Sequence, residues 1–274
     1  MTIPTDWTTA LQSQAPVVQD TESIVNSIMS NISDVDEMDQ WMRILIYGDT
    51  GVGKTTLASG APRNLFVEAD IGNLVALLSP AAKNQGGTFK RFKFKTFSAV
   101  EELADMAAQG HLSSFQTFTI DKLTDLSFDN LTEITKREHG VNDLRSLLKP
   151  ETDDYTENNE RIRRLVALFR KAPAHLICIC HFRQAKDKGG AIRSISPDFS
   201  EKLNGNLSSM FNLVGHMYRE TDGQGGAAHY LQVQPTTQIT AKCNIDGLPA
   251  TIINPTWAQL YGAYTAMRAT VNAS

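Results

Sequence analysis

The chain has 274 residues, 41% of them apolar and 20% charged, with a formal net charge of −4. These values describe a globular chain with room for a sizeable core, and no uninterrupted apolar run approaches a membrane span. Bulk electrostatic attraction to nucleic acid is disfavoured, but the charge is uneven: residues 1–42 carry seven acids and no Lys or Arg, which leaves 26 basic and 23 acidic residues elsewhere, a body of +3.

Residues 1–41 read as an acidic N-terminal arm, polar from Met1 to Pro16 and without the basic start of a secretory signal. Within it Ile24, Val25, Ile28 and Ile32 recur at helical spacing. Two readings stand for that segment: a helix lying on the chain's own core, or an oligomerisation element that docks on a neighbouring subunit. Cysteines are three, Cys178, Cys180 and Cys243, two of them inside an apolar run, as expected of reduced core residues in a cytoplasmic protein. The Cys178–His181 stretch has no second ligand pair to complete a zinc site.

Arg43-Ile44-Leu45-Ile46-Tyr47 is a short apolar strand running into Gly48-Asp49-Thr50-Gly51-Val52-Gly53-Lys54-Thr55-Thr56. Gly48, four residues, then Gly53, Lys54 and Thr55 satisfy the phosphate-loop pattern. Glycines let successive backbone N–H groups turn inward on a polyphosphate, and the helix that follows points its positive end at the same place. Lys54 is then placed for the β- and γ-phosphates and Thr55 for Mg²⁺, so the pattern implies binding of a nucleoside triphosphate, with ATP and Mg²⁺ as the expected ligands.

Further along, Asn64–Glu68 predicts a buried strand leading to Asp70, and Asn73–Ser79 a short helix that stops at Pro80. Thr88–Phe97 alternates as a strand, and Val100, Leu103, Met106 and Ala107 mark a helix ending at Gly110. Phe115–Asp121 is a β-branched and aromatic run that ends in an acid, a position suited to metal binding beyond the carboxyl end of a parallel strand. Helices are predicted over 122–138 and 155–171, and a buried strand over Ala174–His181. Phe182–Gly205 reads as a long loop bearing Arg183, Lys186, Lys188 and Arg193. A hairpin over 213–233, short strands at 238–243 and 250–253, and a helix over 256–271 complete the pattern. Strands alternating with helices, then late antiparallel pairs, predict an α/β fold with a mostly parallel central sheet.

The glycine loop alone fits kinases, helicases, GTPases and motor ATPases. A guanine-specificity element is missing, Asp121 is followed by Lys122 where a motor's acidic pair would continue, and no compact Arg-rich lid suits a small-molecule kinase. Ile44–Gly48 running into Gly53-Lys54-Thr55, then Leu65–Asp70, then Phe118–Leu126, then Ile177–His181, in that order, resembles the phage-encoded RecA-like P-loop ATPases of single-strand DNA annealing and recombination. The resemblance covers residues 42–255, with residues 256–274 as a C-terminal helix. It implies a RecA-like core, single-stranded DNA as ligand, a homo-oligomer (ring or filament) with ATP sites between subunits, and a single-strand DNA-binding protein as a further partner. The chain would then work in the cytoplasm, that of the host if phage-encoded.

Residue by residue, the resemblance implies phosphate and Mg²⁺ binding by Lys54 and Thr55, and a place for Asp121 in the metal shell. It implies a water-activating carboxylate at the end of the strand beside the P-loop strand, assigned to Asp70 with Glu68 as the runner-up; an N-cap is the other reading of Asp70. His181 would sense the γ-phosphate, its other reading being a satisfied histidine at a strand end. The segment after it, with Arg183, Lys186, Lys188 and Arg193, would track DNA phosphates, and Lys242 would act in trans on a neighbour's nucleotide, although Cys243 and Asn244 replace the acid and arginine that often follow. A nucleotide-switched loader of a protein partner and a small-molecule kinase are the alternative functions.

Overall fold

A computed structural model describes residues 23, 25, 26, 29, 40–68, 76–139, 149–221 and 226–271 of the chain. The chain divides into two units, Met1–Met38 and Asp39–Ser274. In the first, the four described residues are helical and exposed; the two readings of that segment otherwise fall outside the described residues.

The second unit is built on a nine-stranded sheet. Its strands are β1 (Arg43–Gly48), β2 (Asn64–Glu68), β3 (Phe89–Lys93), β4 (Thr117–Asp121), β5 (His175–Cys180), β8 (Leu213–Thr221), β9 (Ala227–Gln232), β10 (Lys242–Cys243) and β11 (Thr251–Ile253). The order is β11-β9-β8-β1-β5-β4-β2-β3, with β10 alongside β8. From β3 to β8 every pairing is parallel; β8–β9, β9–β11 and β8–β10 are antiparallel. β1, β2, β4 and β5 are buried along their whole length, which is why the middles of β1, β2 and β5 read as continuous apolar runs; in β4 Thr117 and Thr119 are buried with their hydroxyls bonded to Pro62 O and Asn64 Oδ1. The α/β fold with a mostly parallel sheet and late hairpins is therefore the observed one.

Helices cover both faces, namely α1 (Lys54–Ser59), α2 (Pro80–Lys83), α3 (Phe97–Ala108), α4 (Leu123–His139), α5 (Thr152–Lys171), α6 (Glu201–Ser209) and α7 (Trp257–Val271). Leu45, Val67, Phe118, Ile120, Leu176 and Cys178 pack on one face against Phe97, Val100, Ile162, Leu165 and Phe169 from α3 and α5. The alternate residues face α1 and α7, where a Cβ on Gly60 would lie 3.1 Å from that of Trp257. Cys178, Cys180 and Cys243 are free thiols, the first two buried in the sheet. Among the described residues no helix is long and apolar enough to cross a membrane.

The helix expected to stop at Pro80 does so in its described part: residues 76–78 are helical, Ser79 breaks the run, and its earlier residues lie outside the described ones. Pro80 then stands at the first position of α2, where its missing N–H costs nothing, and Ser79 caps that helix by accepting from Ala82 N. One expectation is corrected here. The segment after His181 is not a loop: β6 (Phe182–Lys186) and β7 (Ile192–Pro197) form an antiparallel hairpin, followed by α6. β7 is backed by the chain near residue 239, with Ile195 N donating to Gln238 O (2.7 Å) and Thr240 N to Ile195 O (3.0 Å).

Candidate nucleotide site

The carboxyl ends of β1, β5 and β4 bring the motif residues together. Gly48 closes β1 so tightly against β8 that a Cβ there would sit 2.0 Å from Met217 O, and Gly53 caps α1 at φ 98°, a left-handed conformation that side chains disfavour. Between them the loop presents Asp49 to Val52. His229 from β9 holds its crest: the ring Nδ1 lies 2.7 Å from Val52 O, and since a carbonyl only accepts, that nitrogen carries the proton.

Lys54 is buried beneath the loop, its ammonium donating to Gly48 O (2.8 Å) and Asp49 O (2.6 Å). Burial pulls its pKa down to about 8 even though Asp121 favours the charged form. Thr55 Oγ1 donates to Asp121 Oδ2 at 2.8 Å, across 66 residues of sequence. Asp121 is itself buried, which pushes its carboxyl up to about 6 against the opposing influence of Thr55, Lys54 and Lys122. A hydroxyl and a carboxylate meeting beside a lysine are hard oxygen donors of the kind Mg²⁺ selects, so these residues fit that ion. The peptide between Asp121 and Lys122 is cis.

The second acid is placed differently from expectation. β2 is not beside β1, because β5 and β4 intervene, so the carboxylate that ends β2 borders the Asp121 strand. Glu68 is 2% exposed, accepts from Arg91 Nη1 at 3.4 Å through Oε2, and has no partner for Oε1 among the described residues. Burial pushes its carboxyl up to about 7, with Arg91 opposing and the nearby Asp121 adding. Asp70, two residues on, lies outside the described residues.

His181 does follow the strand adjacent to β1. Its backbone N donates to Thr124 Oγ1 (3.2 Å), and its Nε2 lies 3.2 Å from Asp125 Oδ1, while Lys122 Nζ is 3.4 Å from the other oxygen of Asp125. The turn from Asp121 to Asp125 thus touches Thr55 at one end and His181 at the other. Arg183, Lys186, Lys188 and Arg193 all belong to the β6–β7 hairpin, the last three exposed and Arg183 partly covered near Ser196. Tyr47, the residue before Gly48, anchors that hairpin: its buried hydroxyl donates to Thr240 O at 2.6 Å and lies 3.3 Å from Ile195 O.

Lys242 is not part of this assembly. It pairs with Val214 at the level of Leu45, at the other end of the sheet, roughly 10 Å below the loop by strand rise. Its ammonium donates to Ser208 O (3.2 Å) and Phe211 O (2.9 Å), the carbonyl end of α6. Within its own chain it thus caps the carbonyl end of a helix.

Sequence reasoning missed His229, Met217 and the hydroxyl of Tyr47. Each meets a partner at least 148 residues away in sequence, and nothing local marks it.

Strand, glycine loop, buried lysine and the Thr55–Asp121 pair on a mostly parallel sheet together define a P-loop ATPase. A family model described as an AAA domain, AAA_24, matches residues 40–244, and the chain belongs to that family. Comparison with curated proteins finds no match.

The expectation that an acid at the end of β2 activates water has a direct check. Glu68→Gln should lower ATP turnover by about 10²–10⁴-fold while nucleotide binding persists, as removal of a general base does. Because the folded carboxyl titrates near 7 and an unfolded one near 4.5, the wild-type chain loses stability as pH rises through that window. Gln, always neutral, should therefore raise the melting temperature at pH 8 and leave it unchanged near pH 4. Retained turnover in this variant with loss in Asp70→Asn would assign the water to Asp70.

Proposed function

We propose that this chain is an ATP-hydrolysing protein that binds single-stranded DNA on the β6–β7 hairpin and promotes annealing and recombination as an oligomer. The observation that carries the reading is the placement of that hairpin. It leaves the carboxyl end of β5 directly after His181, carries Arg183, Lys186, Lys188 and Arg193, and is fastened through Tyr47 to the strand that enters the P-loop. Cations on an exposed hairpin track phosphates without reading sequence.

In the nucleotide site, the backbone N–H groups from Gly51 to Thr55 and the Lys54 ammonium would bind and orient the β- and γ-phosphates of ATP. Thr55 and Asp121 would hold Mg²⁺, which supplies neutralisation of the charge that develops on the phosphate oxygens. Glu68, or Asp70, would position the attacking water and take its proton, at a carboxylate whose raised affinity for protons suits a base. His181, tied to the Asp121–Asp125 turn, would report the state of the nucleotide to the hairpin that begins one residue later.

The test is binding of a labelled oligothymidylate to the full chain with ATP and Mg²⁺ over a salt series. Affinity should fall steeply with salt. A Lys186→Ala/Lys188→Ala/Arg193→Ala variant should bind roughly 10–100-fold more weakly near 0.1 M salt, with the log–log slope smaller by about 2. Absence of binding by the wild type at low salt would reject the reading, and ATP turnover dependent on an added protein, with no DNA binding, would select the loader function in its place.

A further inference from the structure

A second concavity of about 540 Å³ opens beside His181, between α4, α5 and the base of the hairpin. Two aromatic side chains stand at it with little cover: Phe128 is 69% and Tyr155 50% exposed, unusual for rings of that size in a chain whose other phenylalanines are largely packed. Around them the lining is polar, with Asn159 donating to Ser200 Oγ at 3.3 Å, and with Arg183 shared between this cleft and the hairpin. Asp125 is paired with Lys122, and Asp198 offsets Arg183 in the walls, so the cleft carries no excess of positive charge to draw phosphate and suits a neutral, flat, hydrogen-bonding group.

We propose that this cleft receives an unpaired nucleobase of the single strand whose phosphates the hairpin holds, an inference that rests on the DNA-binding reading above. The aromatic faces of Phe128 and Tyr155 supply stacking area, and the surrounding hydroxyl and amide groups supply partners for a base edge of any identity. The sugar–phosphate backbone stays outside, on the side where Lys186, Lys188 and Arg193 are exposed. One wall of the cleft is the turn bearing Asp125 and His181, whose other end is the Thr55–Asp121 pair. Base capture and nucleotide binding therefore share a structural element.

The experiment uses the full chain with ATP and Mg²⁺ and compares an oligothymidylate with an abasic oligonucleotide of equal length across a salt series. The wild type should prefer the base-bearing strand by roughly 5- to 150-fold, the range for base–aromatic stacking. Phe128→Ala/Tyr155→Ala should lose most of that preference with an unchanged salt slope; both rings are exposed, and an unaltered melting temperature verifies the fold. Lys186→Ala/Lys188→Ala should do the reverse, lowering the slope and keeping the preference. Equal wild-type binding of both strands, or a double aromatic variant that keeps the preference, overturns the base site alone. Failure of either oligonucleotide to bind overturns the DNA reading with it, and normal DNA binding with an altered oligomer mass would make the cleft a protein contact instead.

Discussion

Lys54→Ala is expected to weaken ATP binding by about 10²-fold or more and to leave the melting temperature of the nucleotide-free chain nearly unchanged. The ammonium lies buried at the floor of the loop, where it donates to two loop carbonyls. Two charge-assisted hydrogen bonds to a polyphosphate contribute about 1.5–3 kcal/mol each, which sets the lower bound on the loss. The lysine adds little to the empty fold, because its charge is desolvated there, as the fall of its pKa to about 8 records. That value gives a second readout. Below pH 8 the wild-type amine is charged and ready for phosphate; above it, affinity should decline as pH rises, and the alanine variant should show no such decline. Calorimetric titration at pH 7 and pH 9 separates the two. Equal ATP affinity of variant and wild type at pH 7 would remove Lys54 from the site.

Trp257→Ala should cost the fold about 3–5 kcal/mol, as truncation of a buried tryptophan does. Its indole, 5% exposed, packs 5.2 Å from the ring of His175, which also has Trp41 at 5.2 Å and Tyr261 at 5.0 Å. This cluster joins the entry to β1, the start of β5 and α7. His175 Nδ1 accepts from Met42 N at 3.0 Å, so the ring is held neutral, and burial lowers its pKa to about 4. At 2–4 °C per kcal/mol for a unit of this size, the melting temperature should fall by roughly 6–20 °C. Nucleotide affinity of the folded fraction should be unchanged, since the cluster sits at the opposite end of the sheet from Gly48. A shift under about 2 °C would show that α7 does not support the core. The histidine adds an acid limit: with an unfolded value near 6.5, its contribution is complete above that pH and is lost as pH falls towards 4.

The parallel strands were legible because burial on both faces favours continuous apolar runs, which Ile44–Tyr47, Leu65–Val67 and Leu176–Cys180 provide, and because Thr117–Ile120 is β-branched and aromatic. The nucleotide loop was legible because its chemistry is local. The β6–β7 hairpin was not: Arg183-Gln184-Ala185-Lys186 has no alternation, and its strand geometry comes from pairing with Ser194–Pro197 and from the backing of β7 by residues 238–240. Strand order was hidden for a related reason. That β5 separates β1 from β4, and that Glu68 therefore neighbours Asp121, depends on register between segments more than 50 residues apart. Lys242, on β10 beside the lower end of β8, caps a helix terminus that its local sequence does not reveal.

His229 gives the loop a property that its glycines alone deny it. Glycine-rich segments are the costliest to order, about 1–2 kcal/mol of backbone entropy per residue. Here a ring from β9 clasps Val52 O at 2.7 Å and Gly48 is wedged on Met217, so the middle and the start of the loop are immobilised by the hairpin before any ligand arrives. A triphosphate then meets a mould already set, and more of its contact energy appears as affinity. The β8–β9 hairpin, remote from the motif in sequence, thereby becomes a determinant of how tightly the motif grips.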